Sequence, residues 1–221
     1  MPSNKPIPTA DEALQRLRQG NQRFQNGVPT PGNAKSRSTL TNTQQPFAII
    51  LGCSDSRVPV ELIFDQGPGD LFVVRVAGNI VTPSQMASIE FAIQQFGTQL
   101  VVVLGHSSCG AVHTTLQQLL EPDDASSSFM SPVLDCIRPA LEPLINDKVR
   151  AELKGVKVDD AKNNPNISKH LAAAVQANIK ASVETLKYKS LILKPLIKND
   201  GLHILGAEYS LESGLVTFFN K

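Results

Sequence analysis

The sequence predicts an α/β fold, a mostly parallel β-sheet flanked by helices, on three observations. Phe47–Leu51 is a short continuous apolar run of the kind made by a strand buried on both faces, and Leu71–Val76, Leu100–Leu104 and Ile204–Ala207 are further apolar runs of strand length. Segments of helical spacing separate these runs, and strand alternating with helix is the pattern of a parallel sheet. Leu211-Glu212-Ser213-Gly214 then turns the chain into Leu215–Phe219, read as an antiparallel edge strand.

The elements follow in order. Residues 1–10 are a Pro-rich lead-in. From Asp11, Ala13, Leu14, Leu17 and Phe24 recur at roughly helical spacing up to Gly27, giving a half-apolar helix that packs either on the main body or on a second subunit. Residues 28–43, with Pro29, Pro31 and Gly32, read as a loop. After the first strand, Pro59–Phe64 is a short helix with proline in its first turn. Gly67–Asp70 is a turn, and Ala77-Gly78-Asn79 a tight loop of small residues after the second strand. Met86, Ile89, Ala92, Ile93 and Phe96 mark a helix face between Ser84 and Phe96, and Ala111–Leu120 is the helix after the third strand. Pro132, Pro139 and Pro143 break residues 121–165 into short helices and loops. Leu171, Val175, Ile179, Val183 and Leu186 make a long amphipathic helix. The expected organisation is one domain over 1–221, an N-terminal arm and linker at 1–43 and a catalytic core at 44–221.

Composition narrows the function. A net charge of +1 over 221 residues leaves no electrostatic footprint for nucleic acid or an acidic membrane, so a small neutral or singly charged substrate is expected. Three thinly spread cysteines are no disulfide framework. The first residues lack an apolar signal core, no run is long enough to span a membrane, and a cytoplasmic setting is expected. The sequon Asn166-Ile167-Ser168 carries no weight in that setting. Cys136 is expected to be a small buried hydrophobe, and His113, His170 and His203 surface or packing residues.

Two strand ends hold the chemistry. Cys53-Ser54-Asp55-Ser56-Arg57 follows the first run, and Gly105-His106-Ser107-Ser108-Cys109-Gly110 follows Leu100–Leu104. In open α/β sheets, ligands gather beyond the carboxyl ends of the strands. Two cysteines and a histidine make a Cys₂His donor set for zinc, with a fourth tetrahedral position left open as in catalytic sites. Asp55 either fills that position or stands beside it and accepts a hydrogen bond from bound water. Arg57, two residues on, holds the carboxylate by a forked, charge-assisted pair, so the site is open with Asp55 on Arg57 and shut with Asp55 on zinc. Zinc makes hydroxide available near neutral pH, and because two thiolates offset its charge, activity is expected to rise through mildly alkaline pH.

At these residues the sequence resembles the β-class carbonic anhydrases. The family's first signature, Cys-(Ser or Ala)-Asp-Ser-Arg, stands as Cys53–Arg57. Its second, an acidic-aromatic-Ala helix leading to Gly-His-x-x-Cys-Gly, stands as Glu90-Phe91-Ala92 through Gly105–Gly110. The resemblance implies zinc on Cys53, His106 and Cys109, and an Asp55–Arg57 dyad that orients zinc-bound hydroxide for attack on carbon dioxide, giving bicarbonate and a proton reversibly. It implies that Gln44 donates a hydrogen bond to substrate across a dimer interface, and that Phe72, Ala77 and Phe91 line a small apolar pocket. It also implies a homodimer or homotetramer whose N-terminal helices embrace a partner. Phe91 replaces the tyrosine of many relatives; Ile50 stands where bicarbonate-regulated members have tryptophan, while Arg75 matches their arginine. Alternative readings are a hydrolase of carbon disulfide or carbonyl sulfide on the same site, and a zinc-binding interaction protein without turnover.

Overall fold

Five strands whose side chains are mostly apolar on both faces set the architecture. The computed structural model describes residues 6–28, 41, 44–121, 130–153 and 164–219. Strands β1 (Ala48–Gly52), β2 (Leu71–Arg75), β3 (Leu100–His106), β4 (His203–Tyr209) and β5 (Val216–Phe218) form one sheet in the order β2-β1-β3-β4-β5. The first four are parallel and β5 runs antiparallel to β4, as expected of the edge strand.

The pleat divides the core in two. Ile49 and Leu51 of β1 and Val101 and Val103 of β3 face one cluster, while Ala48, Ile50, Leu100, Val102 and Leu104 face the other. Every residue of β1 and β3 is buried, and each Val, Leu or Ile so placed stabilises the fold by about 1.5–3 kcal/mol. Helices α3 (Pro83–Phe96), α4 (Gly110–Leu120), α5 (Ser131–Leu141) and α7 (Pro165–Lys189) cover the first face. Helices α1 (Ala10–Gln25) and α2 (Val60–Ile63) cover the second. Helix α6 (Asp147–Glu152) follows α5, and α8 (Leu193–Asn199) leads into β4.

Helix α1 starts at a capping box, in which the Glu12 N–H donates to Thr9 Oγ1 and the Thr9 N–H to Glu12 Oε2. Its apolar stripe, Ala10, Ala13, Leu14 and Leu17, is buried against its own chain. Asn21 fixes the contact: its Nδ2 donates to the carbonyls of Ile63 and Gly214, and its Oδ1 accepts from the Val216 N–H. This helix thus packs on the main body of its own chain.

Several expectations need adjustment. Strand β3 runs two residues past Leu104, because Gly105 and His106 still pair with Glu208 and Tyr209 of β4. Pro59 sits at the N-cap of α2, one position ahead of its first turn. Helix α8 was not anticipated; seven residues with Pro195 inside give too little periodicity to read. Cys136 is exposed, contrary to expectation, because the buried face of α5 is Leu134, Ile137 and Leu141 and residue 136 falls off that stripe. The loop expected over 28–43 lies almost wholly outside the described residues. Among the described residues no helix is long and apolar enough to cross a membrane.

Candidate metal centre

The sheet order places a crevice where the chain reverses its direction of travel. From β1 the chain passes to β2 on one side, then over to β3 on the other, so the carboxyl ends of β1 and β3 flank a topological switch point. Cys53 is the first residue after β1, His106 the last of β3, and Cys109 the N-cap of α4. All three are buried, and their ligand atoms lie within 4.8 Å of one another. A tetrahedral site with about 2.0–2.3 Å metal–ligand bonds needs ligand atoms roughly 3.5–4 Å apart, so the donor set fits zinc.

The histidine is set for that role. Its Nδ1 lies 2.9 Å from the Ser107 carbonyl, and donation there puts the proton on Nδ1 and leaves Nε2 as a lone pair. Nε2 is buried and makes no hydrogen bond, an arrangement that is costly unless something takes that lone pair. Cys53 is pulled well below the ordinary thiol range, first by Cys109, then by the neighbouring His106 ring and by the backbone N–H groups of Asp55 and Gly78, against the opposing effect of burial. Cys109 is pushed up by Cys53 and by burial. Cysteine binds a metal ion as thiolate, so a cation held here would displace the protons of both sulfurs.

The backbone here is held in unfavourable conformations. Among the described residues, Asp65, Asn79 and Ser108 are the non-glycine positions with positive φ, and two of them adjoin the ligands. Ser108 (φ 55°) sits between His106 and Cys109; Asn79 (φ 44°) follows Gly78, whose N–H donates to Cys53 Sγ at 3.3 Å. Ties across the sheet keep the ligand loops in place. The Ser107 N–H donates to the Tyr209 carbonyl, and Ser107 Oγ accepts from the Leu211 N–H. Arg75 donates from Nε to the Cys53 carbonyl (2.9 Å) and from Nη2 to the Asp55 carbonyl (2.7 Å). Arg75, which matches the arginine of bicarbonate-regulated members, clamps the Cys53 loop through these two carbonyls.

Asp55 lies on Arg57. Nε donates to Oδ1 at 2.9 Å, Nη2 to Oδ2 at 2.8 Å, and the Arg57 N–H also reaches Oδ1 at 2.9 Å. The side-chain hydrogen bond from Arg57 holds the Asp55 carboxyl well below the usual carboxylate range. Asp55 Oδ2 is also 3.9 Å from His106 Nε2, so the carboxylate borders the donor set.

The carbonic anhydrase family model matches residues 48–216. The chain belongs to the β-class carbonic anhydrases. This family comprises zinc lyases, carbonate dehydratases, and the Cys53–His106–Cys109 cluster is where its metal fits. Among relatives, a carbonic anhydrase of Mycolicibacterium smegmatis is 41% identical over 143 residues, 64% of this chain and 67% of its own length. Carbonic anhydrase 2 of Mycobacterium tuberculosis is 32% identical over 216 residues, 97% of this chain and 93% of its own. A solved structure of a tetrameric β-carbonic anhydrase from Sordaria macrospora superposes with a TM-score of 0.64 at 23% identity, covering 96% of this chain and 95% of that one, a likeness of fold.

The residues expected to bind substrate lie apart from the ligands in kind. Gln44 is exposed, two residues before Pro46, whose carbonyl accepts from Thr98 Oγ1. Phe72 and Ala77 are half-buried, and Phe91 is 54% exposed. Phe72, Phe91 and Phe96 form a cluster with ring centroids 6.1–6.4 Å apart. Ala77 directly precedes the Gly78 donor. The residues that sequence reasoning missed are Asn178 and Ser182 of α7, which hold the Gly78–Asn79 turn.

Proposed function

We propose that this chain hydrates carbon dioxide reversibly to bicarbonate and a proton, with Cys53, His106 and Cys109 holding zinc and Asp55 and Arg57 acting as a catalytic pair. The observation that carries this reading is the unpartnered His106 Nε2, buried beside two sulfurs and 3.9 Å from a carboxylate that Arg57 already holds. Zinc, when bound, acts as a Lewis acid that acidifies water. The protein supplies the rest. Two thiolates offset the ion's double charge, and Asp55 with Arg57 adds a neutral pair, so the site presents little net charge to a neutral gas or its monoanion. Asp55, held ionised, is an acceptor only. Its Oδ2 takes the O–H of the attacking water and so turns an oxygen lone pair toward the carbon of the substrate.

Gln44 is assigned as the donor to a substrate oxygen, presented to the site of a second copy. Phe72, Ala77 and Phe91 are assigned as an apolar wall that excludes water from the gas. The assembly is assigned as a homodimer or a pair of dimers; the fold likeness to a tetrameric enzyme and the exposure of Gln44 and Phe91 support this. Zinc on Cys53 and Cys109 requires reduced thiols, which supports a reducing, cytoplasmic setting.

The test is stopped-flow hydration of carbon dioxide with metal analysis, before and after chelation, with carbon disulfide and carbonyl sulfide assayed alongside. One zinc per chain and hydration lost with the metal are expected. Purified protein without zinc, or hydration indifferent to the chelator, would refute the proposal. Turnover of either sulfur gas without hydration would reassign the site.

A further inference from the structure

Helix α7 lies close on the sheet because two glycines on neighbouring strands leave room for it. A Cβ on Gly105 of β3 would meet Cδ1 and Cγ1 of Ile179 at 2.5 Å, and one on Gly206 of β4 would meet Ile179 Cγ2 at 2.8 Å. Ile179 fills that space and is fully buried. The seating brings Asn178 and Ser182, four residues apart on one face of the helix, to the turn after β2. Asn178 Nδ2 donates to the Gly78 carbonyl at 2.8 Å, and Ser182 Oγ donates to the Asn79 carbonyl at 3.0 Å. Asn178, Ser182 and Asn79 are all buried.

That turn needs holding. Gly78 and Asn79 have φ of 71° and 44°, and a left-handed asparagine costs of order 1 kcal/mol and persists only where its surroundings impose it. The turn also touches the metal centre, because the Gly78 N–H is the donor to Cys53 Sγ. An N–H directed at a ligating sulfur fixes the direction of its lone pairs and tunes its basicity.

We infer that Asn178 is a positioning residue for the metal centre: its amide, 100 residues along the chain, fixes the turn whose Gly78 N–H is directed at the sulfur of Cys53. The inference rests on the reading of Cys53 as a zinc ligand. Removing Nδ2 leaves the Gly78 carbonyl buried without its donor. The turn then relaxes from its left-handed conformation and the N–H leaves the sulfur.

The test uses metal-free full-length protein as wild type, Asn178→Leu, Ser182→Ala and Cys53→Ser, titrated with zinc against a competing chelator and with cobalt. Asn178→Leu is expected to weaken zinc binding by about 10–100-fold and to move the thiolate-to-cobalt charge-transfer band. Ser182→Ala, whose bond ends one residue further from the sulfur, is expected to do less of both. The unfolding midpoint of each metal-free protein shows that it folds; if Asn178→Leu does not, Asn178→Ala carries the same comparison. Wild-type zinc affinity and an unmoved band in the Asn178 variant, with affinity lost in Cys53→Ser, would overturn the role of Asn178 alone. Equal losses in the Asn178 and Ser182 variants would also overturn it, as general slackening of the turn. Wild-type affinity in Cys53→Ser would instead overturn the ligand assignment beneath it.

Discussion

Replacing Arg57 by methionine tests whether the carboxylate must be held to work. The substitution keeps much of the side chain's length and leaves the backbone N–H of residue 57 on Asp55 Oδ1, but removes the bonds from Nε and Nη2. A hydrogen bond to a charged group is worth about 1.5–3 kcal/mol where water is excluded. Here the Arg57 side chain is 54% exposed and that of Asp55 18%, so about 1 kcal/mol for each bond is the appropriate scale. The two together, roughly 2 kcal/mol, correspond to about a 30-fold fall in the population with Asp55 held in place. Asp55 is then free to turn toward His106 Nε2, 3.9 Å away, and into the position the substrate water needs. The expected result is zinc content unchanged and kcat/KM for hydration down about 30-fold or more, with Arg57→Lys falling between, because an ammonium keeps the charge but not the fork. Stopped-flow hydration and metal analysis on the same preparations provide the measurement. Full activity in a zinc-loaded Arg57→Met protein would refute the pairing as a catalytic device.

Two further outcomes follow from the packing and the surface. In Gly206→Ala the new methyl must displace Ile179 Cγ2, 2.8 Å from its position, and Phe219 Cδ2 at 2.9 Å, so stability should fall by about 1–3 kcal/mol in urea unfolding; an unchanged midpoint would mean that α7 is not seated as described. Glu152 is held below its ordinary 4.5, first by the hydrogen bond from His170 Nε2 at 3.0 Å. A depressed folded value contributes stability that is present above 4.5 and lost as pH falls through the folded value. His170→Ala should therefore return the Glu152 carboxyl toward 4.5 in an NMR titration and narrow the stability difference from wild type as the pH falls through that range; a Glu152 titration unmoved by the substitution would refute the pairing.

The clustering of Cys53, His106 and Cys109 was legible in the sequence because each lies within a few residues of a strand tip. An apolar run ending in Cys53, and another ending near His106 and Cys109, identify both the strand and what it delivers. The exact end of β3 was not, because Gly105 and His106 break the apolar pattern while backbone pairing, which is blind to side chains, continues to Tyr209. The place of Cys136 failed because one residue's step around a helix separates the buried face from water. Asn178 and Ser182 were unreadable for a different reason. They sit among the apolar positions Val175, Ile179 and Leu186 of α7, where a polar residue looks like a fault in the stripe, and the carbonyls they reach are about 100 residues away. Two polar residues four apart on an otherwise buried face were the available signal, since such groups must find partners.

The two halves of the metal centre are held by different means. His106 belongs to the sheet: it pairs with Tyr209, and the next N–H continues the contact to the Tyr209 carbonyl. Moving it means breaking the β3–β4 ladder. Cys53 lies one residue past the end of β1 and has no ladder of its own beyond Gly52. Arg75 holds its carbonyl, the Gly78 N–H its sulfur, and the Ser54 N–H reaches back to the Val76 carbonyl. These contacts come from β2 and the turn after it, and α7 in turn holds that turn. Substitutions between β3 and β4 are therefore expected to act chiefly on stability, through strands that are buried along most of their length. Substitutions at Arg75 or Asn178 are instead expected to act on where the Cys53 sulfur points, because these side chains hold its loop and the turn beside it.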